Sequence, residues 1–353
     1  MTISPAASSS PLFLPFDGIE PRFGASPRLI GGGASLLGKV EVGARALIAA
    51  GAVLRGDGHF VRAGDDFCIG AHATVHIAQD IHPAIMGHRV TVGRNAVVHA
   101  CTIGDDCVIG DNAVILDGSV LDSNVLIEAD STVFPKSKLA GGFIYAGTPA
   151  KPVRNLTPAE REERAGAMRQ DAASAQAFTG GAAAILKAPE DVFIAKTASV
   201  SGRIELHNRS SVFFGCDFEA GEHEIIIGES TNIQDNTRIR CASAGTLIGR
   251  DVTVGHNVRL ADCRVGARVL LGIGSTVAPG TIIEDDVMLA AGAVTLAGQT
   301  LESGWLWGGR PARPLARLDE SKRAMMGVII EHYRIYAEAY RRAQDRHSPA
   351  QHG

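Results

Sequence analysis

The sequence has few aromatic residues, no excess of charge of one sign and no long apolar run. Phenylalanine, tryptophan and tyrosine make up 5% of the 353 residues, whereas glycine occurs 41 times, which favours many tight turns over a large aromatic core. The formal net charge is −4 with both signs dispersed along the chain, so we expect neither nucleic-acid binding nor a basic membrane-binding face. No segment reaches the length of a membrane span, so we expect no membrane insertion.

The sequence also lacks a C-x-x-C pair and the pattern of a signal peptide over residues 1–10. The six cysteines form no C-x-x-C pair, and four of them fall within the repeat described below. We interpret them as buried free thiols, with disulfides and metal ligands as the alternatives. Residues 1–10 contain neither the basic region nor the apolar core of a signal peptide, so we expect a cytoplasmic protein. The chain is long enough for two domains that each bury a core.

Aliphatic residues recur at every sixth position. Glycine often follows the aliphatic residue, as in Ile103-Gly104 and Leu271-Gly272, and a small residue often stands four positions later. A period of six matches neither a helix nor a single strand. It is typical of a β-helix, in which six residues form one short parallel strand and one turn. The in-phase residues are Ile30, Leu36, Val42, Ile48 and Leu54; Ile103, Ile109, Ile115, Leu121, Ile127 and Val133; Ile194, Val200, Leu206 and Val212; and Val265, Leu271, Val277, Ile283 and Leu289.

The chain contains one segment twice. Residues 90–104 and 252–266 match at an offset of 162, and this offset stays constant to the end of the repeats. The copies differ where chemistry could reside, because Arg94 and His99 in the first stand opposite His256 and Ala261 in the second. The pattern indicates a tandem duplication in which each copy has kept a histidine that the other has lost.

The repeats resemble the left-handed β-helix of hexapeptide-repeat proteins. We therefore predict a mainly β protein with two tandem left-handed parallel β-helix domains, each followed by an α-helix packed along the prism. The predicted boundaries are an N-terminal arm over 1–28, the first β-helix domain over 29–155, a helix and linker over 156–190, the second β-helix domain over 191–315, and a C-terminal helix and tail over 316–353.

Two helices are predicted from their caps. The first has a capping box over Thr157-Pro-Ala-Glu160, should end near Phe178, and is long enough to return the chain to the start of the first prism. The second has Asp319 as its N-cap. We expect it to pack along a β-helix flank, and partner docking is the alternative. Its apolar face is predicted to comprise Met325, Ile329, Tyr333, Tyr336 and Tyr340.

Several motifs resemble those of the γ-class carbonic anhydrases, across both prisms and both trailing helices. In the second half they are Thr231-Asn-Ile-Gln-Asp235, Val252-Thr-Val-Gly-His256, Ile283-Glu-Asp-Asp286, Leu301-Glu-Ser-Gly-Trp-Leu306 and Glu331-His-Tyr333. In the first half they are Leu54-Arg-Gly-Asp57, Val75-His76, Val90-Thr-Val-Gly93, Val98-His-Ala-Cys101 and Tyr145-Ala-Gly-Thr-Pro149. The resemblance implies prisms assembled as a trimer, with Zn²⁺ or another divalent metal such as Co²⁺ or Fe²⁺ at each interface. Two histidines of one subunit and one of its neighbour would bind the metal.

The resemblance implies a metal site that is divided between the two halves. The first half keeps His76 and His99 but has Arg94 at the neighbour-facing position. The second half keeps His256 and has Arg240 and Ala261 where the histidine pair should be. Only an interface between the two kinds of half would therefore contain a complete site of His76, His99 and His256. Arg94 and Arg240 could instead form ion pairs with acidic groups at the interface.

Other family positions are divided in the same way. Arg55 and Asp57 occur only in the first half, since the second has Gly215-Cys216-Asp217 after a loss of about four residues, which makes Asp217 a doubtful counterpart. Gln234 and Asp235 occur only in the second half. The resemblance implies that Arg55, Asp57, Gln234 and Asp235 are catalytic, and that the last two position the metal-bound solvent and direct proton traffic.

Three functions remain open from the sequence. The first is reversible hydration of CO₂ to bicarbonate by a zinc-bound hydroxide at an interface between the two domains. The second is a catalytically inactive structural or assembly subunit of the same fold. The third is a hexapeptide-type acyltransferase or thioesterase with a histidine as general base. We expect a homo-oligomer, as a trimer or as pseudo-trimeric rings, with CO₂ or bicarbonate as the small-molecule substrate.

Overall fold

A computed structural model describes residues 10–175 and 184–346. Within these ranges the chain forms two tandem left-handed β-helices, each followed by one α-helix, which confirms the predicted fold class. The strands of the first half are β1 (Leu12–Leu14), β2 (Arg22–Phe23), β3 (Leu29–Ile30), β4 (Ser35–Val42), β5 (Leu47–Ile48), β6 (Val53–Ala63), β7 (Cys68–Ile69), β8 (Thr74–His76), β9 (Ala84–Met86), β10 (Thr91–Val92), β11 (Val97–His99), β12 (Thr102–Ile103), β13 (Val108–Ile109), β14 (Val114–Ile115), β15 (Val120–Leu121), β16 (Leu126–Ile127), β17 (Thr132–Val133), β18 (Lys138–Leu139), β19 (Phe143–Gly147) and β20 (Ala150–Asn155). After α1 (Pro158–Ser174), the strands of the second half are β21 (Ala184–Lys187), β22 (Phe193–Ile194), β23 (Ser199–Leu206), β24 (Ser211–Val212), β25 (Asp217–Ile227), β26 (Asn232–Ile233), β27 (Arg238–Arg240), β28 (Thr246–Ile248), β29 (Thr253–Val254), β30 (Arg259–Ala261), β31 (Arg264–Val265), β32 (Leu270–Leu271), β33 (Thr276–Val277), β34 (Ile282–Ile283), β35 (Met288–Leu289), β36 (Thr300–Leu301), β37 (Trp305–Gly308) and β38 (Arg313–Arg317), and α2 (Glu320–Arg346) ends the described chain.

Each coil of the first half places strands on the three faces of a triangular prism. The first face runs in the order β17-β14-β11-β8-β6, the second β6-β9-β12-β15-β18, and the third β19-β16-β13-β10-β7-β5-β3. In-phase aliphatic side chains such as Ile109 and Ile115 are fully buried at the prism axis. Glycine follows the aliphatic residue because the coils approach closely: a Cβ on Gly104 would lie 2.6 Å from the backbone nitrogen of Ser123 in the next coil.

Helix α1 runs back along the third face of the first half. Thr157 caps it by accepting a hydrogen bond from the Glu160 backbone nitrogen at 3.2 Å, but the Glu160 carboxylate binds Arg154, so the capping box is only half formed. Ala175 is already extended, with φ −64° and ψ 135°, so the helix ends at Ser174. The predicted end near Phe178 is wrong; Phe178 itself lies outside the described residues.

Helix α2 begins as predicted, with Asp319 Oδ1 accepting from the backbone nitrogen of Lys322 at 2.8 Å. Its buried face differs from the prediction at one position. Met325 is 45% exposed, whereas Met326 is 6% exposed. Both residues lie three or four positions before Ile329, so the spacing does not distinguish them. Met326 is the one that is buried, because it packs with Leu318 against β35. Met325 therefore belongs to another face of the helix.

The strand pattern defines which residues of the two halves are equivalent. Strands β6 and β25 both contain 11 residues and occupy the same place in their halves. The counterparts of Arg55 and Asp57 are therefore Glu219 and Gly221. The tentative match of Asp217 to Asp57 is wrong, because Asp217 is the first residue of β25 and Asp57 the fifth residue of β6. The second half is shortened after β27, where the loop spans residues 241–245 against 77–83 in the first half.

The two halves lie side by side with their coils at matching levels. Part of the contact is apolar, since the Tyr340 ring of α2 packs against Phe16 of the first half and Phe214 of the second, with ring centroids 5.5 and 5.0 Å away. The contact continues along the prisms through polar pairs, in which Ser35 contacts Thr197, Thr74 contacts Asn236, and Asn112 contacts Arg259. A second apolar cluster also joins the halves, with Val114 of the first half and Ile273 of the second among its members. A surface of the first half therefore faces the second half within one chain.

Candidate metal centre

Two histidines stand next to each other on the first face of the first half. His76 ends β8 and His99 ends β11, and they are paired in the parallel ladder. Arg55 on β6 pairs with His76 from the other side. Because residues in register on one face of a sheet point in the same direction, these three side chains form a column. The column faces the second half.

The second half contributes two turns at the same place. Asp235 follows β26, and His256 follows β29 one coil further on. The next residue, Asn257, has a φ of 55°, a left-handed conformation that asparagine adopts more readily than most residues. Asn257 anchors the turn to the first half, since its Nδ2 donates to the His72 carbonyl at 2.8 Å and its Oδ1 accepts from Thr74 Oγ1 at 2.7 Å.

His76, His99 and His256 form a triangle where the halves meet. Their ring centroids are 4.8, 5.3 and 5.6 Å apart. One nitrogen of each ring lies within 4.8 Å of the other two, and His76 Nδ1 is 3.1 Å from His256 Nε2. In the part of the chain that the structure describes, these side chains form the one group of histidine, cysteine or acidic residues arranged to hold a metal ion.

A carboxylate lies next to the second nitrogen of each ring. Such a partner fixes the tautomer and the orientation of an imidazole. It leaves a lone pair on the other nitrogen, which faces the two neighbouring rings and is called the inner nitrogen below. The inner nitrogens can therefore bind a cation. The contacts are His76 Nε2 to Asp57 Oδ1 at 2.8 Å, His99 Nδ1 to Asp117 Oδ1 at 2.6 Å, and His256 Nδ1 to Asp235 Oδ2 at 3.1 Å.

Two of the imidazoles are held in the neutral form. Burial lowers the pKa of His76 well below its usual value, and the charge of Arg55 lowers it further. Burial also lowers the pKa of His256 to about 4, although the hydrogen bond to Asp235 opposes this effect. Both rings are therefore neutral at pH 7, which is the form that binds metal ions.

Arg55 is fully buried between two carboxylates. Its Nε lies 3.2 Å from Asp57 Oδ2 and 3.5 Å from Asp235 Oδ2. Burial raises the pKa of Asp57 in spite of Arg55. Burial also acts to raise the pKa of Asp235, but the Arg55 charge and the His256 hydrogen bond outweigh it, and the pKa is lowered. Asp235 is therefore ionised at pH 7 and contacts both Arg55 and His256.

Two tyrosines of α2 reach the same cluster. The sequence predicts both on the buried face of the helix and places Tyr333 in a family motif, but it gives neither hydroxyl a role at the site. The Tyr333 hydroxyl accepts from Arg55 Nη2 at 2.9 Å and lies 3.2 Å from His256 Nε2. The Tyr340 hydroxyl donates to Asp57 Oδ2 at 2.9 Å. Their spacing on the helix predicted a buried face, but no local pattern identified the polar partners of the hydroxyl groups.

Gln234 lies beside the cluster in the wall of a groove of about 840 Å³. Its side chain is nearly buried, and Nε2 donates to Asn232 Oδ1 at 3.2 Å. His76, His99 and Tyr333 line the same groove. The groove therefore reaches two of the three histidines, His76 and His99.

Two hexapeptide-repeat family models match the chain. The model described as bacterial transferase hexapeptide (six repeats) matches residues 100–135, and the hexapeptide repeat of succinyl-transferase matches residues 263–297. The matched segments occupy corresponding coils in the two halves.

Curated relatives match less than half of the chain at a time. Gamma carbonic anhydrase 1, mitochondrial, of Arabidopsis thaliana is 34% identical over 164 residues, which cover 44% of this chain and 60% of the relative. Protein YrdA of Escherichia coli (strain K12) is 32% identical over 157 residues, which cover 42% of this chain and 85% of YrdA. The chain belongs to the γ-class carbonic anhydrase-like family of hexapeptide-repeat proteins.

The chain spans 60% and 54% of the lengths of two Arabidopsis relatives that it matches. Among solved structures, the chain is similar to a protein of Desulfovibrio desulfuricans G20 assigned to the acetyltransferases, with a TM-score of 0.53 and 13% identity. The match covers 90% of this chain and 79% of the other. At that identity the likeness concerns the fold alone. No helix in the described ranges is both long and apolar enough to cross a membrane.

The two arginines that replace family histidines in this tandem protein form ion pairs within their own halves. Arg94 lies 3.0 Å from Asp111 and 3.3 Å from Asp171 of α1. Arg240 pairs with Glu219 at 3.2 Å. Both arginines therefore form ion pairs, but these partners are not supplied across the contact between the halves, as the alternative to a metal site required.

The residues of the cluster fit a divalent metal ion. Three imidazoles are suitable ligands for zinc and for other first-row transition metals, and three protein ligands leave a further position for water or substrate. The carboxylates behind the rings are the partners that metal-binding histidines usually have. The groove gives a ligand access to the side of the cluster formed by His76 and His99.

Proposed function

We propose that the protein binds one divalent metal ion per chain at His76, His99 and His256 and catalyses the reversible hydration of CO₂ to bicarbonate. Zn²⁺ is the first choice, with Co²⁺ and Fe²⁺ as alternatives. The proposal rests on one observation: two histidines of the first half and one of the second bring their inner nitrogens to within 4.8 Å of one another. The relatives named gamma carbonic anhydrase support the choice of reaction.

The residues around the histidines would hold the site in one arrangement. When bound, a divalent metal supplies a Lewis acid that lowers the pKa of coordinated water to about 7. The carboxylates of Asp57 and Asp235 orient the rings of His76 and His256, and Arg55 balances their charge. This fixed arrangement lowers the cost of reorganising the site during the reaction.

Gln234 and Tyr333 would contact the reacting molecules directly. Both side chains line the groove next to the histidines. The Gln234 amide donates to Asn232, so its carbonyl oxygen is available to accept a hydrogen bond from water. The Tyr333 hydroxyl oxygen accepts a hydrogen bond from Arg55, so the hydroxyl hydrogen is directed towards His256. There this hydrogen would be donated to a carboxylate oxygen of bicarbonate.

The test compares single substitutions of the three histidines. We expect His256→Ala to remove bound metal and CO₂ hydration as completely as His76→Ala or His99→Ala, because each supplies one of three ligands. Metal content is measured by mass spectrometry of the purified protein after incubation with zinc, and hydration is measured by stopped-flow detection of proton release.

His207→Ala is the matched control, since His207 is an exposed histidine in the second half whose ring contacts Glu205. It should leave both metal content and rate unchanged. Wild-type protein that stays free of metal after incubation with zinc, cobalt and iron would refute the proposal. So would a His256→Ala variant that keeps its metal and its activity.

A further inference from the structure

The groove beside the histidines is far larger than CO₂ requires. Its volume of about 840 Å³ lies in the range of roughly 300–1,000 Å³ that is usual for sites binding drug-sized molecules. The two halves and α2 each contribute apolar side chains to it. Those that line it and are at least 40% exposed are Ile81 and Phe134 of the first half and Met325 and Val328 of α2.

The exposed apolar side chains of α2 lie on a face of their own. Tyr333, Tyr336 and Tyr340 are buried at the junction of the halves. Met325 and Val328, at 45% and 52% exposure, line the groove beside Tyr333 and Tyr336. A cluster of exposed apolar residues beside a polar centre is a common sign of a binding site.

The charges in the groove narrow the chemistry of its occupant. No lysine or arginine is among the described residues that line it, and the ionisable lining groups are histidines, tyrosines and Asp117. Phosphate-bearing ligands are bound mainly through cationic side chains, so walls without lysine or arginine do not favour a nucleotide or a phosphorylated carrier. They favour an uncharged aliphatic chain.

We propose that the groove binds a medium-chain acyl compound, with its carbonyl or carboxyl end at His76, His99 and His256 and its aliphatic chain against Met325 and Val328. This inference rests on the proposed function for the position of the head group, because a metal at the histidines attracts a carboxylate. The position of the aliphatic chain is inferred from the lining of the groove alone and does not depend on a metal.

The test titrates metal-loaded protein with butanoate, hexanoate, octanoate and decanoate by isothermal titration calorimetry. Each methylene that enters the groove should lower Kd about two- to fourfold, as expected for burial of an aliphatic group. Val328→Asp should weaken decanoate binding at least tenfold and leave butanoate binding within twofold. Met325→Glu is a second variant with the same expected outcome, so the test does not depend on one protein folding well.

Ile335→Asp is the matched control. Ile335 is a 46% exposed aliphatic residue on the same helix, but it does not line the groove. This variant should bind decanoate like the wild type. Metal content and CO₂ hydration should be unchanged in all three variants, because none of these residues belongs to the metal centre.

The outcomes separate this inference from the proposed function. A Kd that does not depend on chain length, or equal losses in Val328→Asp and Ile335→Asp, overturns the acyl site while CO₂ hydration can still be intact. The protein could instead lack metal and hydration activity but still bind the acids with a chain-length dependence that Val328→Asp abolishes. That result overturns only the proposed function. A third outcome is that the wild type binds no decanoate and is a dimer in sedimentation velocity, whereas Val328→Asp is a monomer. That outcome would identify a second copy of the chain as the occupant of the groove and overturn the inference.

Discussion

At the scale of single residues, the carboxylates behind the histidines matter as much as the rings. Asp235 Oδ2 lies 3.1 Å from His256 Nδ1 and 3.5 Å from Arg55 Nε, with no exposed surface. It orients the ring and balances the buried guanidinium. A change of its charge therefore alters both contacts.

We predict that Asp235→Asn weakens zinc binding by about 10- to 100-fold, the usual effect of removing a partner of a metal-binding histidine. Competition with a zinc chelator of known affinity measures the change. Asp217→Asn is the control, because Asp217 also pairs with an arginine, Arg240, but outside the cluster. An Asp235→Asn protein that retains wild-type zinc affinity would contradict the role given to this carboxylate.

The buried imidazole of His256 makes stability depend on pH. Burial lowers its pKa to about 4 in the folded chain from 6.5. Between these values the unfolded chain binds a proton that the folded chain does not, so acidification favours unfolding. In metal-free protein we predict a loss of about 2 kcal/mol from this residue between pH 7 and pH 5.

Urea denaturation at pH 7 and pH 5 tests this prediction. His256→Gln should reduce the pH dependence of the unfolding free energy by that amount, since glutamine does not titrate. His76, whose pKa is lowered in the same direction, contributes further loss in both proteins. Equal pH dependence in the wild type and in His256→Gln would argue against a neutral buried ring.

At the scale of structural elements, the turn after β29 connects the halves. Asn257 in this turn donates to the carbonyl of His72 and to Asn95 Oδ1, and accepts from Thr74. These contacts hold His256 against the first half. Substitution of Asn257 therefore tests the link between the contact and the metal centre.

We predict that Asn257→Gly lowers the unfolding free energy by about 2–3 kcal/mol, since hydrogen bonds contribute roughly 1 kcal/mol each. Glycine keeps the φ of 55° without strain, so the loss reports the side-chain contacts. Asn124→Gly is the control, because Asn124 has a φ of 62° but lies on an exposed turn, where its side chain accepts a hydrogen bond from Arg161. Its substitution should cost about 0.5 kcal/mol, the lower end of the range for one hydrogen bond. An equal loss in both variants would contradict an anchoring role for Asn257.

The coils were predictable from sequence because their determinants are local. An in-phase aliphatic residue such as Ile109 and the glycine after it satisfy one coil at a time, so the six-residue period predicts strands, turns and core together. The equivalence of β6 and β25 was not predictable, because the shortening occurs in a loop without a motif. The end of α1 was missed for a similar reason, since Ala175 leaves the helix without a helix-breaking residue.

The candidate site was predictable only in its parts. The resemblance gave Arg55, His76 and His99 in one half and Asp235 and His256 in the other. Whether these residues meet depends on contacts between positions far apart in the sequence, such as Asn257 with His72, and no pattern along the chain records those contacts. The polar contacts of Tyr333 and Tyr340 were missed, although Tyr333 stands in a family motif, because a helix pattern predicts burial but not the partner of a hydroxyl group.

At the scale of the whole molecule, the cluster forms between two halves of one polypeptide. The trimer and the pseudo-trimeric rings remain predictions, and so do the domain boundaries. The proposed stoichiometry of one metal per chain does not depend on them, because His76, His99 and His256 all belong to the same chain.

Covalent linkage of the three ligands has a consequence for mixed populations. Where a site is shared between separate subunits, a defective copy inactivates sites on its normal neighbours. Here a chain with His256→Ala should silence only its own centre. After co-expression with wild type, or after joint unfolding and refolding, zinc content and CO₂ hydration should be linear in the wild-type fraction. A curve that falls below the line would mean that ligands are exchanged between chains.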